Sequence, residues 1–67
     1  MLDFNTVYSL CNKHNWFTGG TNTQYNRMFD MVRQGKSTHD IAVVIWICSD
    51  GKDKIGAIER ILKENER

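Results

Sequence analysis

The 67-residue sequence contains no proline and only two cysteines, and its longest uninterrupted apolar run, residues 41–48, is eight residues long. A membrane-spanning helix needs about 20 apolar residues, so the chain is not expected to cross a membrane. No basic start precedes an apolar segment, which argues against a signal peptide. Small exported scaffolds usually carry four or more cysteines, and Cys11 and Cys48 are therefore expected to be reduced thiols in a cytoplasmic protein.

The chain also lacks a block of like charge, because its nine Lys and Arg residues are interleaved with eight Asp and Glu residues. The net charge is +1. This pattern argues against strong non-specific attraction to nucleic acid or to an anionic membrane. The length accommodates one small domain, expected to span residues 1–67, and the 40% of hydrophobic residues suffice for one core. The stability margin of so small a core is thin, which favours a partner or a second copy.

Apolar residues recur at helical spacing in four segments separated by polar or glycine-containing connections. Asp3, the Thr21-x-x-Gln24 capping box and Ser37 mark three helix starts, and Asp53 is a candidate cap for the fourth. Gly35 and Gly51 mark helix ends. The sequence therefore predicts an all-α fold, a small compact bundle of four short helices around a single core. The helices are expected at about 3–14, 22–34, 37–49 and from residue 53 onward.

The apolar run 41–48 is rich in β-branched residues, and its composition also fits a buried strand. No second run in the chain offers such a strand a partner, and Ser37 gives a capping signal, so a helix is the stronger interpretation. The predicted core consists of the residues on the apolar stripes of the second, third and fourth helices. These are Tyr25, Met28, Phe29, Val32, Ile41, Val44, Ile45, Ile58 and Leu62.

The candidates for chemistry are two cysteines, two histidines and scattered carboxylates. Cys48 and His39 lie about 13 Å apart along one predicted helix and cannot act together as nucleophile and base. Cys11-x-x-His14 is half of a zinc site, but the spacing of His39 and Cys48 matches no compact ligand loop. We therefore expect no catalytic residue, no metal, no cofactor and no small-molecule substrate.

The segment 35–42 reads Gly-x-Ser-x-x-x-Ile-Ala and resembles the first helix of a helix-turn-helix. The resemblance extends over about 28 residues and implies a DNA-binding regulator whose recognition helix is the fourth helix. The stretch after Ala42 is longer than the motif has, and the fourth segment mixes acidic with basic residues. Its charged residues are Asp53, Lys54, Glu59, Arg60, Lys63 and Glu64, whereas a recognition helix favours a basic and amide-rich face.

A second resemblance covers nearly the whole chain. Residues 15–18, 24–25, 28–29, 40–42 and 45–49 are similar to the corresponding parts of short, uncharacterised proteins from phages and mobile elements of Gram-positive bacteria. The resemblance implies a small accessory protein, a class that includes regulators and inhibitors of host defence. It implies no mechanism and no site residue.

Five apolar residues are candidate partner-binding residues. Trp16 and Phe17 lie in the first connection, which either folds over the core or presents an anchor for a partner. Val43, Trp46 and Ile47 lie on the third helix away from its predicted core stripe, where they form a homodimer contact, form a docking face for another protein, or are buried within the monomer. The expected function is a non-enzymatic protein-interaction module; the alternative is a helix-turn-helix DNA-binding regulator.

Overall fold

The computed structural model describes residues 2–17 and 21–66, and within them the chain forms four α-helices and no strand. The helices are α1 (Phe4–His14), α2 (Asn22–Arg33), α3 (Thr38–Cys48) and α4 (Ile55–Glu64). The all-α prediction is confirmed, and the run 41–48 is helical. The turn predicted at Gly19 and Gly20 lies outside the described residues.

Side chains cap the first three helices where the sequence predicts them. The Asp3 carboxylate accepts a hydrogen bond from the Thr6 amide at 2.7 Å, and Thr21 and Gln24 form both bonds of a capping box. The Ser37 hydroxyl accepts the Asp40 amide at 3.1 Å. The fourth helix is present, but the prediction that Asp53 caps it is wrong, because α4 begins after Lys54 without any side-chain cap. The Asp53 carboxylate instead accepts a hydrogen bond from the indole Nε1–H of Trp16.

Left-handed residues follow the first three helices and turn the chain. Gly35 follows α2 with a φ of 73°, and Asp50 and Gly51 follow α3 with φ of 56° and 76°. Glycine adopts this conformation without a steric penalty, which explains its place at both helix ends. The two consecutive left-handed residues direct the chain from α3 into α4.

Helix α3 is the centre of the bundle and packs against both α2 and α4. Seven of the nine predicted core residues are buried, whereas Tyr25 and Val44 are only partly buried because they lie at the margins of their stripes. The core also includes residues that the prediction left out. These are Leu2, Val7, Leu10, Cys11, Trp16, Ala42 and Cys48.

An aromatic cluster joins α1 to α2. The Phe29 ring lies 4.4 Å from Phe4, 4.8 Å from Tyr25 and 5.9 Å from Tyr8, measured between ring centroids. Tyr25 also contacts Phe17 at 4.4 Å with an edge-to-face geometry. Aromatic pairs at these separations stabilise a fold by more than the burial of their apolar area alone. The cluster therefore reinforces the packing of α1 on α2, which is less extensive than the packing of α3 on α2 or on α4.

Candidate protein-interaction surface

Helix α3 carries more apolar side chains than the core covers. Ile41, Ala42, Ile45 and Cys48 face inward and are almost fully buried. On the opposite side the Trp46 side chain is 45% exposed and Ile47 is 59% exposed, while Val43 between them is half-buried. We call Val43, Trp46 and Ile47 the α3 outer face. Contiguous exposed apolar surface with a tryptophan is typical of interface centres.

A shallow groove between α2 and α3 continues this face. Met31, Val44, Ile47 and Cys48 supply its apolar part, and Gln24 and Arg27 supply its polar part. Ile47 belongs to both surfaces, so the α3 outer face and this α2–α3 groove form one continuous region. The sequence pattern does not identify Arg27 and Met31 as surface candidates, because the groove forms only when α2 packs against α3.

Charged and polar groups flank the apolar centre. His39 and Asp40 are exposed at the start of α3, and Asp50 is exposed just beyond its end. The His39 Nδ1 atom lies 3.2 Å from Glu59 Oε2 on α4, and Lys63 Nζ lies 3.5 Å from Glu59 Oε1. The hydrogen bond with His39 is the main cause that lowers the pKa of the Glu59 carboxyl. An apolar centre within a polar rim is the usual anatomy of a protein interface.

Trp16 lies inside the molecule. Its side chain is fully buried, and the indole Nε1–H donates a hydrogen bond to Asp53 Oδ2 at 2.7 Å. The His14 ring stacks on it at 4.9 Å. The interpretation of Trp16 as a surface anchor is therefore wrong, because Asp53 offers the indole the acceptor that burial requires.

Phe17 is half-buried and packs against the core beside Tyr25. The structure thus brings together three of the five predicted partner-binding residues, Val43, Trp46 and Ile47. It places Trp16 in the core and Phe17 within the aromatic cluster. Trp16 and Phe17 therefore pack onto the core, in agreement with one of the two interpretations of the sequence.

The two thiols are free and buried. Burial, together with the charge of Cys48, raises the pKa of Cys11 to about 12, and burial also raises the pKa of Cys48. Both are protonated at neutral pH, and a protonated thiol is a poor nucleophile and metal ligand. Among residues 2–17 and 21–66, no three His, Cys, Asp or Glu side chains are grouped so that they could hold a metal ion.

The outer side of α4 combines both signs of charge. Glu59, Arg60, Lys63 and Glu64 surround an open depression beside Gly56. The connection from α3 to α4 spans residues 49–54, whereas a helix-turn-helix has a turn of about three or four residues. These features fit a solvated helix face better than a face for the DNA major groove.

None of the helices in the described part of the chain has the length and apolarity that crossing a membrane requires. Comparison of the chain with protein-family models, with curated proteins and with solved structures found no match.

Proposed function

We propose that the chain is a non-enzymatic protein-interaction module that binds its partner through the α3 outer face. The observation that carries this proposal is the exposure of Trp46 and Ile47 side by side on the central helix. The core is complete without them, since the opposite side of α3 already packs against α2 and α4. Binding at this surface would remove a costly apolar patch from water, and a central tryptophan is a common hot spot of binding energy.

The environments of the two cysteines and of His39 support a function in binding and not in catalysis. The thiols are protonated, and His39 faces the surface beside Glu59. We propose that the module is an accessory regulator or inhibitor from a phage or mobile element, acting in the cytoplasm. The sequence resemblance to such proteins supports an origin in a phage or mobile element. The free thiols fit a cytoplasmic location, because the cytoplasm is a reducing compartment.

The second candidate is a helix-turn-helix DNA-binding regulator. The extensive packing of α3 on α4 favours it, since the two helices form a pair. The mixed charge of α4 weakens it. Titration against random duplex DNA at low and moderate salt separates the two functions, because DNA binding of this kind is strongly salt-dependent. Absence of a salt-sensitive complex at micromolar protein excludes the DNA-binding alternative.

The test of the interaction module compares three immobilised proteins: the wild-type chain, Trp46→Glu and Tyr8→Glu. Tyr8 is a matched control because its side chain is 45% exposed, as is that of Trp46, and it lies on α1. Each is incubated with an extract of the producing cells, and bound proteins are quantified by mass spectrometry. We expect a protein retained by the wild type and Tyr8→Glu but lost with Trp46→Glu. Identical bound sets for all three would contradict the proposal.

A further inference from the structure

We propose that the partner of the α3 outer face is a second copy of this chain, paired antiparallel along α3 about a two-fold axis. The inference rests on the proposed function, which it deepens by naming the partner. It is carried by a symmetric arrangement of apolar and charged residues along α3 and by an opposite charge on the neighbouring helix.

The outward residues of α3 and the turn after it follow a self-complementary order. His39, Val43 and Trp46 lie on α3 at spacings of four and three residues, the alternation that forms a seam between two packed helices, and Asp50 lies just beyond the end of α3. Val43 and Trp46 are equidistant from a point between Val44 and Ile45, and His39 and Asp50 lie beyond them towards the two ends of the helix. An antiparallel partner centred on this point places Val43 opposite the partner's Trp46, and it sets the His39 end of each α3 near the Asp50 end of the other.

The side of α3 that faces α2 shows the same complementarity. Arg27 lines the α2–α3 groove together with Ile47 and Cys48, so it lies beside the C-terminal half of α3. Asp40 precedes Val44 and Ile47 by four and seven residues, and therefore lies on the groove side of the N-terminal half. A two-fold axis in the interface plane sets groove side against groove side. It thus places Arg27 near the partner's Asp40, and the reciprocal pair forms by symmetry.

Other features of the molecule agree with a second copy as the occupant. An antiparallel pair of helices opposes the two helix dipoles favourably. On the groove side the basic and acidic groups exchange ends in the partner, so each Arg27 faces a carboxylate and not a second guanidinium group. The total surface of the chain is 4313 Å², and a standard interface covers about 800 Å² per partner. A single helix face with its adjoining groove is a small contact, and small contacts are typical of transient complexes, so a reversible dimer with a dissociation constant on the order of tens of micromolar is expected.

The first test is the mass of the full chain by sedimentation equilibrium at concentrations from about 5 to about 500 μM, a range that brackets the expected constant. The wild type should pass from monomer to dimer, as should the matched control Tyr8→Glu. Trp46→Glu should stay monomeric with an unchanged helical circular dichroism spectrum. Should Trp46→Glu fail to fold, Ile47→Lys, at a more exposed position, replaces it.

The second test exchanges charges between copies. Arg27→Glu and Asp40→Lys each create two like-charge contacts in the dimer, and each should weaken self-association by about tenfold. In an equimolar mixture the substituted carboxylate faces the substituted ammonium, and the unchanged Arg27 faces the unchanged Asp40. The mixture should therefore form a heterodimer with wild-type affinity, measured by native mass spectrometry. Neither variant touches the buried core.

A wild-type chain that is monomeric over the whole range would overturn the inference. So would a dimer that Trp46→Glu leaves intact, or a mixture of the charge variants that associates no better than each variant alone. A monomeric chain that still loses another protein on Trp46→Glu would overturn the dimer while the proposed interaction module stands.

Discussion

The two tryptophans occupy opposite environments, and hydrogen bonding explains the difference. The Trp16 indole is buried because Asp53 accepts its N–H at 2.7 Å and His14 stacks on its ring. Trp46 is on the helix face that α2 and α4 leave uncovered. A buried indole without an acceptor would carry a desolvation penalty, so the bond to Asp53 permits the burial of Trp16.

Removal of the acceptor for Trp16 should destabilise the protein. Asp53→Ala leaves the buried indole N–H without a partner, and we expect a loss of about 1–3 kcal/mol in the free energy of unfolding. Asp53→Asn keeps a side-chain oxygen that can accept the bond and should lose less. Urea unfolding followed by circular dichroism measures both. An Asp53→Ala protein as stable as the wild type would show that the bond contributes little.

The buried thiols should be unreactive in the folded protein. With the pKa of Cys11 raised to about 12 from an ordinary value of 9.0, its thiolate fraction at pH 8 is about a thousandfold smaller than that of an exposed thiol. A disulfide reagent should therefore modify the folded protein slowly and the urea-unfolded protein rapidly. Equal rates in the two states would contradict the burial of both cysteines.

At the scale of the element, local signals account for the helices that the sequence predicts. Apolar spacing and caps depend on residues three or four apart, and they place α1, α2 and α3 within a residue or two of their observed bounds. Local spacing predicts Asp53 as a helix cap and misses its actual partner, because Trp16 lies 37 positions away in the sequence. The α2–α3 groove escaped prediction for the same reason, since Arg27 and Ile47 meet only through packing. The outward orientation of Trp46 and Ile47 is one of the alternatives that the sequence leaves open, since the core stripe of α3 puts them on its opposite side and only packing decides whether another helix covers them.

The contact between α3 and α4 should depend on pH through Glu59. Its pKa is lowered in the folded state, chiefly by the hydrogen bond with His39, so its stabilising contribution is present above the ordinary value of 4.5 and is lost as the pH falls through the lowered value. Glu59→Gln should therefore be less stable than the wild type at pH 6, and the difference should vanish below the folded pKa. Thermal melts across this range measure it.

The control for this prediction is Glu64→Gln, at an exposed position near the end of the same helix. It should follow the pH dependence of the wild type. A stability difference for Glu59→Gln that persists at the lowest pH would show that packing, and not charge, is responsible.

At the scale of the whole molecule, stability depends on one small core, and the proposed binding surface consists of side chains that this core does not use. Helix α3 contributes to both, with Ile41 and Ile45 inward and Trp46 and Ile47 outward. The two roles are therefore separable by substitution on opposite sides of one helix.

Phe29 tests the dependence on the core. Its ring is almost fully buried and contacts the rings of Phe4, Tyr8 and Tyr25, so Phe29→Ala should cost about 3–5 kcal/mol, most of the stability of so small a domain. Tyr8→Ala removes an exposed ring of the same cluster and should cost much less. Chemical unfolding of both variants measures the difference. A loss below about 1 kcal/mol for Phe29→Ala would contradict its assignment to the core.

The central claim is that the α3 outer face is bound by a protein, and crosslinking from that face tests it most directly. A photoreactive amino acid replaces Ile47 in one protein and Tyr8 in another, and the producing cells are irradiated. Position 47 should yield a protein adduct, with the mass of two chains if the partner is a second copy, whereas position 8 should yield none. Absence of an adduct at position 47, or equal adducts at both positions, would contradict the claim.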